Sequence, residues 1–317
     1  MADEIPGFDP FRREVALDLE SVYYPLGFPL RLATNSPEIH KSAAEQWGRF
    51  RQALEKPPLR LRVSVEPGGG PPAAPVYRGQ EHLMLIAAGR ENFAVCDHTR
   101  SSAFCWLTEE TARDRAFTGY YFLEAMAHYT LTQLYLTPVH GACVARNGRG
   151  VLLCGASGAG KTSLAYHCAR NGWTFVSDND SWLVRESGGR LALGNPHRVR
   201  FRDTARELFP ELSGLAPAWD ANGKMSVALA PEGIEIAYRT CVDRLVMLSR
   251  QDAAEGAVHP LRPEDVFARL LAELPVYDPG IRREQAACLR RIAGLNPVEL
   301  RYGTLADGLF QLESLLL

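Results

Sequence analysis

The stretch GASGAGKTSLAYHCARNGWTFVSDND, residues 155–180, decides the fold of the carboxy-terminal part of this chain. It begins with a glycine-rich run ending in Gly160-Lys161-Thr162, and the residues before it, GVLLC, have the apolar character of a buried strand. A segment of helical composition follows over 163–171, and Gly172 is placed to end it. The order strand, glycine loop, helix and strand predicts an α/β core.

The glycine-rich run matches the pattern G-x-x-x-x-G-K-[ST] at every fixed position. Glycines let the backbone curl until successive N–H groups point at phosphate oxygens, and the helix adds its positive N-terminal end. The lysine of such a loop reaches the β- and γ-phosphates, and the hydroxyl takes a place on Mg²⁺. The alternative is a glycine-rich turn from strand to helix that binds no ligand. Such a turn does not explain Lys161-Thr162, which packing alone does not require. The predicted nucleotide-binding residues are Gly155, Ala156, Ser157, Gly158, Ala159, Gly160, Lys161 and Thr162.

Two acids follow the next apolar run, in Asp178-Asn179-Asp180. A helix and a return strand fit between Lys161 and Asp178, so we expect this strand to lie beside the loop strand and to end at the phosphates. Asp178 is then predicted to hold Mg²⁺ through water or to accept a proton from an attacking hydroxyl. In an extended chain Asp180 shares its face and is a second metal-ligand candidate. Helix capping or solvation of a loop is the alternative for both acids.

His140-Gly141 begins the strand that is predicted to pair with the loop strand. A hairpin there would bring His140 near the phosphates as a catalytic residue. A lone histidine in a strand is more often a structural hydrogen-bonding group, so both roles stay open.

The remaining sequence predicts two domains, a smaller α+β domain over 1–108 and a nucleotide-binding domain over 109–317. The patch EPGGGPPAAP, 66–75, holds too much Gly and Pro for a helix or a central strand and is expected to be an exposed loop. Apolar periodicity predicts helices over 37–54, 109–137, 163–171, 263–274 and 280–292. It predicts strands over 59–65, 82–88, 92–97, 102–107, 139–145, 150–154, 173–176 and 242–250.

Composition excludes several classes of protein. With 46% hydrophobic and 23% charged residues, the chain has the balance of a globular protein. The net charge of −2 and the lack of a basic run predict no nucleic-acid partner, and no apolar stretch approaches the roughly 20 residues of a membrane span. The acidic start MADEIPGFDP is no secretory signal, and seven scattered cysteines without a C-x-x-C pair indicate reduced thiols in the cytoplasm.

Together, His140-Gly141, the loop 155–162 and Asp178 resemble the catalytic domain of HPr kinase/phosphorylase, in residue type and in spacing. The resemblance covers about 138–182. It implies a P-loop mixed-sheet fold related to that of phosphoenolpyruvate carboxykinase, and transfer of phosphoryl groups between ATP or pyrophosphate and a serine hydroxyl of a carrier protein. It also implies that Asp178 accepts the proton and that His140 lies near the phosphates.

Three features depart from that family pattern. Asn179 stands where the family has its second Asp, and the family's E-x-R-G-L-G run is absent. In its place lies GNPHRVRF, in which Arg198 and Arg200 are either phosphate contacts or the exposed side of an alternating strand. The front domain also differs, so HPr itself is not assumed to be the partner.

Three functions remain open on sequence alone. The first is a kinase that uses Mg²⁺ and ATP to phosphorylate a hydroxyl, most simply a serine of a protein or peptide. The second is an ATP-binding regulatory module with little or no transfer, and the third is a small-molecule kinase. The acceptor and any homo-oligomer are not identified.

Overall fold

A computed structural model of the chain describes residues 15–202, 205–214, 218–219, 225–229, 233–251, 256–275 and 278–316. The contacts divide the chain into two compact units, Met1–Leu134 and Tyr135–Leu317. Mixed sheets with packed helices confirm the predicted α/β class. Among the described residues, no helix is long and apolar enough to cross a membrane.

The first unit is built on a seven-stranded sheet in the order β1-β2-β3-β7-β6-β5-β4, with β3 parallel to β2 and β7. Its strands are β1 (Leu19–Tyr23), β2 (Leu30–Thr34), β3 (Leu59–Glu66), β4 (Val76–Gln80), β5 (Leu83–Ala88), β6 (Asn92–Asp97) and β7 (Ser102–Thr108). Its helices are α1 (Pro37–Trp47), α2 (Glu109–Arg113), α3 (Arg115–Thr118), a π-helix (Gly119–Glu124) and α4 (Ala125–Leu134), with 3₁₀ turns at Pro25–Gly27 and His98–Arg100. The four strands predicted here are confirmed, whereas β1, β2 and β4 were not predicted.

The long helix predicted over 109–137 is wrong as a single element. It breaks at Asp114, whose carboxylate accepts a hydrogen bond from the backbone N–H of Phe117 at 3.0 Å and so caps a new helix. The helical segments pack on the first sheet, as the 2.9 Å contact between Cys96 Sγ and Thr130 Oγ1 shows. The boundary between the units therefore lies after Leu134, and not at the predicted 108/109.

This boundary predicts how the chain can be truncated. A fragment 135–317 is expected to unfold cooperatively, whereas 109–317 is expected to aggregate, because Phe122, Leu123 and Met126, at most 1% exposed in the whole chain, would lose the sheet they cover. Thermal unfolding and light scattering on both fragments measure this. Better solubility of the longer fragment would contradict the assignment.

The second unit contains a nine-stranded sheet, a three-stranded sheet and five helices among the described residues. Its strands are β8 (Leu136–Val139), β9 (Ala142–Arg146), β10 (Arg149–Cys154), β11 (Thr174–Ser177), β12 (Ser181–Val184), β13 (Leu191–Leu193), β14 (Arg198–Phe201), β15 (Ala218–Trp219), β16 (Met225–Ala228), β17 (Arg239–Arg250), β18 (Ala257–Pro260) and β19 (Val298–Tyr302). Its helices are α5 (Lys161–Arg170), α6 (Ala205–Leu208), α7 (Pro263–Glu273), α8 (Pro279–Ala293) and α9 (Leu305–Ser314), with 3₁₀ turns at Arg185–Ser187 and Pro210–Gly214.

The large sheet runs β11-β9-β10-β17-β13-β12-β8, and β19 extends it from β17. Alternate residues of its strands enter two apolar cores, as period-two strand geometry requires. Val151 and Leu153 pack with α5, α9 and the small β14-β16-β15 sheet. Leu152 and Cys154 pack on the opposite side, with α7 and α8. The central strand β10 is thus buried on both faces, and its carboxyl end carries the glycine loop.

Candidate functional site

The glycine loop lies between β10 and α5, where the sequence predicts it. Gly155, Gly158 and Gly160 have φ values of 146°, 89° and 89°, which residues with a Cβ rarely adopt. A Cβ on Gly155 would also lie 2.9 Å from the carbonyl oxygen of Leu248 in β17. The backbone curl that a phosphate cradle needs is therefore present, and it depends on glycine.

Gly160 is further restricted by Tyr302, at the end of β19. A Cβ on Gly160 would collide with the Tyr302 hydroxyl, which donates a hydrogen bond to the carbonyl oxygen of Ala159 at 2.8 Å. Like any tyrosine, this hydroxyl keeps its proton at neutral pH and can donate; burial raises the pKa of Tyr302 to about 12 and so extends that state to higher pH. Tyr302 thereby holds the last turn of the loop in place.

The contact with Tyr302 predicts different losses of stability for alanine at Gly158 and at Gly160, although both glycines have the same φ. Gly158→Ala is expected to lower the free energy of unfolding by roughly 1–2 kcal/mol, because only the left-handed backbone opposes it and no atom beyond its two chain neighbours lies within 4 Å of the added Cβ. Gly160→Ala is expected to cost about 1–3 kcal/mol more, through the collision with Tyr302. Thermal or urea unfolding measures both. Adding Tyr302→Phe to Gly160→Ala should recover part of the loss; equal losses in the two single variants would contradict the contact.

Lys161 begins α5 and is 7% exposed. Its ammonium donates hydrogen bonds to the carbonyl oxygens of Gly155 at 2.7 Å and Ala156 at 3.3 Å. The side chain is thus folded back onto the loop that precedes it. A positive charge at this position, beside the N-terminal end of a helix, is suited to anionic oxygens.

The strands do not lie in the predicted order around the loop. We expected the strand before the acids to be the direct neighbour of β10, but β9 lies between β10 and β11. The reason is the tight turn at Asn147-Gly148, where φ values of 52° and 75° fold β9 directly onto β10. Because β9 is antiparallel to both neighbours, β10 and β11 run in the same direction. Their carboxyl ends, with the loop and the acids, therefore meet at one edge of the sheet.

The segment 139–145 is not the single strand that was predicted. It turns at His140-Gly141, between β8 and β9, where the Gly141 N–H donates to the carbonyl oxygen of Val139 at 2.9 Å. A Cβ on Gly141 would lie 2.9 Å from the carbonyl oxygen of Leu153. This corner is thus packed against the end of β10, next to the start of the glycine loop.

The acids lie in a turn between two serines. The Ser181 hydroxyl donates a hydrogen bond to the carbonyl oxygen of Gly141 at 3.0 Å. The Ser177 hydroxyl lies 2.7 Å from the Ser181 hydroxyl. The chain bends directly after Ser177, so Asp178 and Asp180 do not share the face of an extended strand that we considered.

Asp178 is buried, with 7% of its surface exposed. Its Oδ2 accepts a hydrogen bond of 2.7 Å from the backbone N–H of Arg200 in β14. The carboxylate is therefore fixed against the edge of the small sheet, at the end of the large one.

Asp180 has a different environment, with its side chain 46% exposed. Its Oδ2 accepts a hydrogen bond from Asn179 at 3.0 Å, and its Oδ1 lies 3.9 Å from His140 Nδ1. Burial acts to raise the pKa of Asp180, but the interactions with His140 and Asn179 and the charge of Arg200 outweigh it and lower the pKa. The structure thus pairs His140 with the second acid of the turn.

One residue of this region escaped the sequence reasoning. The guanidinium of Arg202 donates a hydrogen bond of 2.8 Å to the hydroxyl of Ser157, in the glycine loop. The alternation that singled out Arg198 and Arg200 continues to Arg202, so the same period-two pattern could have identified it.

The sequence predicts Thr162, Asp178 and Asp180 as magnesium ligands. Within the described ranges, no three His, Cys, Asp or Glu side chains gather into a metal cluster. Mg²⁺ in phosphate sites takes one or two protein oxygens and fills its remaining positions with phosphate and water. A hydroxyl at the start of α5 and the buried carboxylate of Asp178 are hard oxygen donors of that kind. Asp180, held by Asn179, fits this role less well.

Comparison with known proteins adds little to this geometry. No family model and no curated protein matches the chain. Among solved structures, the HPr(Ser) kinase/phosphatase from Coxiella burnetii is similar, with a TM-score of 0.29 and 12% sequence identity, over 56% of this chain and 96% of that one. Similarity at that level assigns no activity to this chain.

Proposed function

We propose that the chain is an ATP-dependent phosphotransferase that phosphorylates a hydroxyl group, foremost a serine of a protein or peptide. The observation that carries the proposal is the loop between β10 and α5, with left-handed Gly155, Gly158 and Gly160 and the Lys161 ammonium on its carbonyls. Curled backbone N–H groups, a helix N-terminus and a lysine are the parts that hold a triphosphate.

The triphosphate is bound first by the loop amides. Lys161 then exchanges its carbonyl partners in the loop for the β- and γ-phosphate oxygens, which attract its charge more strongly. Arg202, already bonded to Ser157, adds a second positive charge at the loop. This charge offsets the negative charge on the transferred group, which is the main task in phosphoryl transfer.

Transfer needs a group that takes the proton of the acceptor. The hydroxyl oxygen of the acceptor forms the new bond to the γ-phosphorus, the bond from that phosphorus to the β,γ-bridging oxygen breaks, and ADP leaves with the electron pair. The carboxylate of Asp178 receives the hydroxyl proton. Thr162 would hold Mg²⁺ directly and Asp178 only through water, so that the carboxylate stays available as the base; the ion would neutralise phosphate charge.

A regulatory ATP-binding module is the second candidate. The hydrogen bond from the Arg200 N–H gives Asp178 a structural task that needs no catalysis. In such a module, Asp178 would serve Mg²⁺ at the nucleotide and join that site to the small sheet, and no acceptor would be phosphorylated.

Two measurements test the proposal. Calorimetry of the full chain with ATP, with and without Mg²⁺, is expected to show one site with Mg²⁺-dependent affinity. Incubation of the chain with γ-labelled ATP and a cell extract is expected to label a protein or peptide band. An absence of ATP binding would overturn both candidates, whereas binding with no labelled acceptor would favour the module.

A further inference from the structure

Three arginines form a row along β14 and the residue that follows it. Arg198, Arg200 and Arg202 alternate with Val199 and Phe201, which are 0% and 2% exposed. These two apolar residues belong to the core on the α5 side of the large sheet. Since successive side chains of a strand point to opposite faces, the three guanidinium groups extend from the other face of β14.

Two members of the arginine row lie at the proposed active site. Arg202 is bonded to Ser157 in the glycine loop, and Arg200 donates its backbone N–H to Asp178. The charge of Arg200 also acts on Asp180. The row therefore starts at the phosphate loop and passes the acids.

Arg198 lies at the far end of the row and is exposed. Its guanidinium makes no hydrogen bond or ion pair with any side chain in the described ranges. Along an extended strand, Arg198 is about 13 Å from Arg202 and about 7 Å from Arg200. A small acceptor held at Asp178 would not reach it, whereas an extended peptide would.

Resting on the proposed function, we infer that the arginine row binds the acceptor as an acidic peptide, with a carboxylate two residues from the phosphorylated serine facing Arg198. Alternate residues of an extended peptide are about 7 Å apart, which matches the separation of Arg198 and Arg200. A peptide that lies along β14 with its hydroxyl at Asp178 therefore places its second neighbouring residue, and not its first, opposite Arg198. Guanidinium and carboxylate then form a charge-assisted, bidentate pair.

The test measures binding by fluorescence polarisation, with labelled serine peptides of one length and the full chain, in the presence of a non-hydrolysable ATP analogue. One peptide carries Glu two residues before and after the serine, a second carries Glu directly beside it, and a third carries Lys at the second positions. The first peptide is expected to bind about tenfold tighter than the others, the effect of one hydrogen-bonded ion pair.

Variants of the arginine row decide whether Arg198 is responsible. Arg198→Glu is expected to abolish or invert the preference, and the milder Arg198→Gln to reduce it. Arg283→Glu, at an exposed arginine of α8 on the opposite side of the large sheet, makes the same charge change and should leave the preference intact. Thermal unfolding of each variant checks that it is folded.

The inference is overturned if no peptide binds, if all bind equally, if the directly adjacent Glu is preferred, or if both Arg198 variants keep the preference. Because peptide binding requires no transfer, this result is separate from that of the proposed function. A chain that prefers the first peptide but binds no ATP would refute the phosphotransferase and keep the acidic-peptide site.

Discussion

Asp178→Asn is expected to lower phosphoryl transfer by about 10²–10⁴-fold, the usual effect of losing a general base. The substitution removes the negative charge and the proton acceptor but keeps the size of the side chain. The amide oxygen can still accept the hydrogen bond from the Arg200 N–H, so the edge of β14 should remain in place. ATP affinity should fall much less, because Lys161, Thr162 and the loop amides are unchanged.

The measurement pairs ATP affinity, by calorimetry, with labelling of the acceptor on the same preparations. Asp180→Asn is the matched control, since it neutralises the other acid of the same turn. It is expected to change transfer by less than about tenfold, because Asp180 is half exposed and already paired with Asn179. A larger loss of transfer in Asp180→Asn than in Asp178→Asn would assign the general base to Asp180 and not to Asp178. Loss of ATP affinity in Asp178→Asn, with no transfer in the wild type, would favour the regulatory module.

Lys161→Ala is expected to weaken ATP binding or transition-state stabilisation by roughly 2–4 kcal/mol, which corresponds to about 30- to 1,000-fold. The variant deletes the charge that would meet the β- and γ-phosphates, whereas the backbone N–H groups of the loop remain. It also removes the two hydrogen bonds from the ammonium to the loop carbonyls, so a small loss of stability should accompany the loss of binding.

Calorimetry with ATP on the wild type and on Lys161→Ala measures this loss. Lys41→Ala provides a matched change of charge, at an exposed lysine of α1 that pairs with Glu38 in the first unit. Its ATP affinity should equal that of the wild type. Equal affinity and equal turnover in Lys161→Ala would refute the phosphate-loop interpretation.

The glycine loop could be predicted from sequence because local backbone geometry determines which residues it contains. Positive φ requires glycine wherever the chain curls, and a strand and a helix must flank the loop. Alternation likewise predicted the strand at 59–65, and the strand-like run at 92–97 was also identified; in both observed strands the two faces differ in burial. Patterns of this kind lie within a few consecutive residues, so they can be recognised without knowing which other segments pack against them.

Most of the features that the sequence did not predict depend on contacts between distant segments of the chain. Insertion of β9 between β10 and β11 follows from strand pairing, which periodicity does not encode. The pairing of His140 with Asp180 follows from where two corners of the sheet meet. The helix break at Asp114 is local. However, the apolar periodicity of the sequence continues across this capping residue, so the pattern does not indicate the break. The roles of Lys161, Asp178 and His140 stay predictions.

The strand β14 is attached to both halves of the candidate site, to the glycine loop through Arg202 and Ser157 and to the acid turn through Arg200 and Asp178. If the proposed nucleotide displaces Ser157 when it binds, these two hydrogen bonds connect that displacement to Asp178, where the proposed acceptor would lie. Thermodynamic linkage makes such coupling reciprocal: if ATP changes the affinity for the acceptor by some factor, the acceptor changes the affinity for ATP by the same factor. Occupancy of either site would then report on the other before any chemistry takes place.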